Sequence, residues 1–146
     1  MDNEISKKER IEMRRNRMDI TNRENQLWGL HQQAISASWG LVGFINTMLS
    51  NSAVLTQLCR RDVFFGLNVS DAIQPIQQQI HQLQTALKNI DSWHTDNLDR
   101  NYQYVRDSLN SIKRMRRDVR VLAHTVGIPT KRLTAEELLN YAHRNQ

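Results

Sequence analysis

The 146-residue chain has little of what punctuates a β fold. Two prolines and five glycines are too few for the tight turns of a sandwich or barrel, so long helices are expected. One cysteine, Cys59, excludes an intrachain disulfide, and a reducing compartment is the simpler setting. Its apolar neighbours suit a buried, inert thiol. The five histidines, His31, His81, His94, His124 and His143, stand apart without an i, i+4 partner, so metal-ligand spacing is lacking. No Gly-rich phosphate loop and no nucleophile elbow occurs. Asp91, Asp96 and Asp99 surround His94, but a polar turn or a wet helix face accounts for that grouping. An enzyme is therefore not expected, nor a cofactor. The first twenty residues are charged throughout and carry no secretory pattern.

Charge is absent in one place and concentrated in others. Residues 25–59 contain no Asp, Glu, Lys or Arg. Leu27, Leu30, Ala34, Leu41, Ile45, Met48 and Leu55 form one helical face there, and Trp28, Ile35, Trp39, Val42 and Leu49 an adjacent one. A helix apolar over so much of its surface belongs at the centre of a bundle or assembly. Gly40 and Gly43 suggest a kink or a close crossing, and Ser50-Asn51-Ser52 a break. The best apolar run, Ala34–Leu49, is 16 residues and includes Ser36, Ser38, Asn46 and Thr47. A span needs about 20 mostly apolar residues, so a buried bundle helix is favoured over a membrane one. Interfacial membrane binding through Trp28 and Trp39, with Arg60–Arg61 following, is the nearer membrane alternative.

Beyond a loop holding Phe64 and Phe65, read as core plugs, Ser70 or Asp71 can cap a helix with Pro75 in its first turn. Ile73, Ile76, Ile80, Leu83, Leu87 and Ile90 then follow at steps of 3 and 4, a heptad seam. Leu98, Tyr102, Val105, Leu109, Ile112, Met115, Val119, Leu122 and Val126 continue it. "DSWHTDN" either reverses the chain or lies within one long helix, and its capping residues favour a reversal. Gly127 and Pro129 end the last long helix. Thr134 with Glu137 is a capping box, and Leu133 with Leu138 its staple.

Three blocks are expected: a charged helix or arm over 1–25; a core over 26–128, with an uncharged helix at 27–60 and heptad helices at 72–94 and 97–126; and a short helix at 134–144. The fold class is all-α, a bundle or hairpin of four to five helices with a coiled-coil-like long pair.

The net charge of +5 gathers late. Arg100–Arg132 holds nine cations against Asp107 and Asp118, a net +7 over 33 residues. On the helix, Lys113, Arg116, Arg117 and Arg120 share one stripe, Arg106 joins it a heptad earlier, and Ile112, Met115 and Val119 face elsewhere. Arginine forks phosphate bidentately without reading sequence. Arg114 extends the cluster, and Lys131 and Arg132 lie beyond the helix. A second stripe is Lys7, Arg10, Arg14 and Arg17. "LAHTVGIPTKRLTAEELL" echoes a helix-turn-helix, but a helix opening only at Ala135 makes the turn too long.

These features point to a non-enzymatic, self-associating structural or assembly protein. The twelve cations named above would hold a nucleic-acid backbone or another polyanion. Ile76, Ile80, Leu83, Leu87, Ile90, Leu41 and Ile45 would join copies in a homo-oligomer. A viral or phage structural protein, virion assembly included, or a small subunit of a nucleoprotein complex fits. Such a chain works inside a cell or a virus particle. The alternatives are a coiled-coil adaptor that binds only protein and a membrane-associated protein using Trp28–Leu49.

Overall fold

The computed structural model describes residues 6–59, 68–90 and 95–144. They form four α-helices, and no strand occurs among them. Helix α1 (Lys7–Cys59) runs 53 residues, about 80 Å at 1.5 Å per residue. Helices α2 (Val69–Lys88), α3 (Thr95–Val126) and α4 (Ala135–Arg144) all pack on it.

The charged arm and the uncharged helix are thus one element. Ser6 caps it: its Oγ accepts the Glu9 amide at 3.1 Å, and its own amide donates to the Glu9 carboxylate at 3.4 Å. The break expected at Ser50-Asn51-Ser52 is absent. Asn51 is 4% exposed and donates across the fold to the carbonyls of Pro129 and Lys131, at 2.9 and 2.8 Å. Its amide is thereby occupied and does not compete with the helix backbone. The close crossing expected at Gly40 and Gly43 is absent too. A Cβ at Gly43 would meet nothing within 4 Å, and one at Gly40 only an ordinary 3.9 Å contact with Arg116.

Helix α2 runs antiparallel to α1. His31 Nε2 donates to the Leu87 carbonyl at 2.8 Å, and Gln84 Nε2 donates to Ser38 Oγ at 3.1 Å. Asn68 is the cap, accepting the Asp71 amide at 3.3 Å, where Ser70 or Asp71 was expected. The earlier start leaves Pro75 inside the helix, beyond the first turn. Helix α3 runs parallel to α1, since Arg23 pairs with Asp99, Phe44 meets Arg116 and Arg120, and Asn51 reaches Pro129. The chain therefore reverses between α2 and α3, although Asp91–His94 lie outside the described residues. So do the loop phenylalanines Phe64 and Phe65 and the Cys59 side chain.

Burial follows the steps of 3 and 4. On α1 it falls at Leu27, His31, Ala34, Ser38, Leu41, Ile45, Met48, Asn51 and Leu55. Leu41, Ile45 and Met48 close a cluster with Ile73 and Ile80 of α2 and Ile112, Met115 and Val119 of α3. Leu27 and Ala34 meet Leu87, Leu98 and Val105 in a second cluster. Each fully buried aliphatic side chain contributes about 1.5–3 kcal/mol.

Gly127, at φ 72°, ends α3. The Ile128 amide donates to the Ala123 carbonyl at 2.8 Å and the Gly127 amide to that of His124 at 3.2 Å, the paired bonds of a left-handed cap. Thr134 and Glu137 exchange two bonds of 3.1 Å at the start of α4. Leu133 and Leu138 meet Leu55 of α1, and the Tyr141 hydroxyl donates to the Gly127 carbonyl. Eight residues separate α3 from α4, too many for the short turn of a helix-turn-helix.

Candidate polyanion interface

The buried side of α3 carries Val105, Ile112, Met115, Val119 and Val126. Holding that side against α1 and α2 turns Arg106, Lys113, Arg114, Arg117 and Arg120 to solvent. Arg116 is half-buried at the edge of the α1–α3 contact. Its guanidinium lies over the Phe44 ring, 5.0 Å from the centroid, and that of Arg120 lies 5.8 Å from the same ring. One aromatic ring on the uncharged helix thus steadies two like charges from the next helix, at about 0.5–1 kcal/mol each.

Two further cations lie past the end of α3. Lys131 and Arg132 are exposed on the linker that Asn51 holds. Arg132 borders a cleft of about 440 Å³ with Asn46, Thr47, Ser50, Asn51 and Leu133. From Arg106 to Arg120 the row covers about 21 Å of helix axis.

No carboxylate pairs with any of these cations among the described residues, where Arg23–Asp99 is the ion pair found. Arg114 hydrogen-bonds Ser111 Oγ at 3.2 Å. The row is therefore a ridge of uncompensated positive charge, of the kind that concentrates anions.

Lys7, Arg10, Arg14 and Arg17 are exposed as well, but not beside the ridge. Residues 7–19 are all exposed, so this part of α1 overhangs the packed helices. The Arg23–Asp99 pair sets the level: Arg17 lies about 9 Å to one side of it and Arg106 about 10 Å to the other. The two stripes make separate basic surfaces about 20 Å apart along the axis.

The seven residues expected between copies all take part in packing within this chain. Leu41, Ile45, Ile80 and Leu87 are buried within this one chain, and Ile76, Leu83 and Ile90 are half-buried against the same clusters. Their steps of 3 and 4 are spent on intrachain packing.

Sequence reasoning missed Phe44, whose partners are more than 70 residues away and leave no local signal. It also missed Asn51, His31 and Ser38 as core members. Here a signal existed, because Ser38 and His31 sit one and two heptads before Ile45. The Ser6–Glu9 box was likewise legible as S-x-x-E.

Among the described residues no group of three or more His, Cys, Asp or Glu side chains could hold a metal. Asp99 of the acid/base grouping pairs with Arg23; Asp91 and His94 lie outside the described residues. Among those residues no helix is long and apolar enough to cross a membrane. No protein family, curated protein or solved structure matches the chain.

Proposed function

We propose that the chain is a non-enzymatic, self-associating structural or assembly protein that holds a nucleic-acid backbone, or another polyanion, along the α3 ridge. The long helices α2 and α3 act as a coiled-coil-like pair that presents it. The exposed α1 overhang, with Lys7, Arg10, Arg14 and Arg17, is a second contact. A virus or phage particle, or the small subunit of a nucleoprotein complex, is the setting such a chain suits. No cofactor is needed.

The observation that carries this reading is that, among the described residues, no carboxylate pairs with Arg106, Lys113, Arg117 or Arg120. Asp107 and Asp118 are the two acids between Arg106 and Arg120, against six cations, and neither forms an ion pair with them among the described residues. Four phosphate contacts imply a loss of about 10²-fold in affinity between 50 and 200 mM salt.

The test is gel retardation of a random duplex and a random single strand at low salt by nucleic-acid-free protein. Retardation is expected, and Lys113/Arg114/Arg117→Glu should abolish most of it. These three side chains stand clear of Phe44, so the variant keeps the α1–α3 contact. No retardation of either probe sinks the reading. The absorbance ratio at 260 and 280 nm of the native particle reports the same property.

A coiled-coil adaptor that binds only protein is the competing reading, favoured by the exposed Trp28 and Trp39. It predicts binding to an acidic protein and none to nucleic acid. Membrane association through Trp28–Leu49 is the third, and liposome flotation tests it.

A further inference from the structure

Helix α1 does not close its whole surface. Trp28 is 55% and Trp39 62% exposed, three turns apart on the same side. They stand where α1 meets α2. On that side no ionic side chain occurs from residue 25 to 59 of α1, and none between Asp71 and Lys88 of α2. The surface is instead aromatic and amide, with Gln77, His81 and Gln84 beside Trp39.

Trp39, His81 and Gln84 border two neighbouring clefts of about 270 and 420 Å³. One runs toward Val42 and Asn46, the other toward Ile35 and Lys88. Lys88, at the edge of the second cleft, is the one ionic side chain lining either of them, so burying this surface takes little charge from water, which is the usual penalty of an interface. Exposed tryptophan bordered by a cleft is the composition of an interface centre.

We propose that this α1–α2 face, centred on Trp39, is where a second copy of the chain docks. The proposal rests on the self-association reading and names its surface. The occupant follows from charge. The chain carries a net +5, and its cations lie on α3, on the linker and on the overhang. Those surfaces are net positive, although the overhang also carries Glu9, Glu12 and Asp19, so copies approaching by them set mainly like charges against each other. The α1–α2 face is the one on which the long helices can meet their own kind without that cost, as a two-fold contact requires. Its size is adequate. Two helices side by side, each about 10 Å across, offer about 600 Å² over about 30 Å, near the roughly 800 Å² per partner of a stable interface. Of the aliphatic seam, Leu41, Ile45, Ile80 and Leu87 are buried inside the chain and Ile76, Leu83 and Ile90 are half-buried, so it offers less exposed surface than Trp28 and Trp39 do.

Sedimentation equilibrium of the full chain tests this, with Trp39→Glu and, as a second exposed position, His81→Glu. The parent should associate, and each variant should weaken association at least about 30-fold while keeping its helical circular dichroism. Lys113/Arg114/Arg117→Glu should associate as the parent does. If both face variants associate like the parent, the interface lies elsewhere; self-association stands and this inference falls. A parent that stays monomeric at all concentrations overturns both, and the ridge is then judged by retardation alone. If the parent mass is unchanged by Trp39→Glu while single-strand retardation or vesicle binding is lost, a base or a lipid occupies the face and the second copy does not.

Discussion

The guanidinium of Arg116 rests on the ring of Phe44, 5.0 Å from its centroid, and joins the basic stripe of α3 to the uncharged segment of α1. Arg120 uses the same ring. Half of the stripe is thus held in place by packing, and half stands free. Phe44→Leu keeps the apolar contact and removes the quadrupole that faces the two cations. It should cost about 1–2 kcal/mol in urea unfolding. Polyanion affinity should fall only a few-fold, because the charges remain. A Phe44→Leu protein as stable as the parent would show that the ring is not the support described.

Asn51 is the one described side chain that bonds α1 to the linker before α4. Asn51→Leu leaves the carbonyls of Pro129 and Lys131 without their donor. The expected loss is about 2 kcal/mol. Hydrogen exchange is the sharper measurement. Amides of the linker and α4 should exchange faster, while those of Ile112–Val119 stay protected. A uniform loss of protection along the chain would mean that Asn51 supports the whole fold.

The helical glycines Gly29 and Gly43 have open space where a Cβ would sit. Alanine at each should stabilise α1 by about 0.5–1 kcal/mol and raise Tm by about 1–4 °C. Thermal melts of the two single variants check this. A drop in Tm at Gly43 would indicate a close neighbour that the fold of one chain does not provide.

Gly127 is different, because its φ of 72° is a region side chains avoid. Gly127→Ala should cost about 1 kcal/mol, and Gly127→Asn less. Equal stability of Gly127→Ala and the parent in urea would contradict the left-handed cap.

The helical class was legible because few residues interrupt the apolar steps of 3 and 4. The cap at Gly127 and the box at Thr134 were legible because short-range hydrogen bonds need particular residues at fixed offsets. Periodicity marks a face but does not say what covers it. For that reason Leu41, Ile45 and Ile80 could be read as contacts between copies, whereas they pack within one chain. Ser50-Asn51-Ser52 looked like a break because its use depends on carbonyls 78 and 80 residues away. Phe44 was invisible for the same reason. Its role exists only once α3 lies parallel to α1. For the cations, spacing placed Lys113, Arg117 and Arg120 on one stripe. Only the folded chain adds that no described carboxylate reaches them.

The central claim is that uncompensated cations on α3 hold phosphate. The most direct measurement is the slope of log affinity against log salt for a random nucleic acid, comparing the parent with Lys113/Arg114/Arg117→Glu. The parent slope should be about −3 or steeper, and the variant should flatten it by about two units or more. A parent that binds with no salt dependence, or a variant with the parent's slope, would contradict the claim.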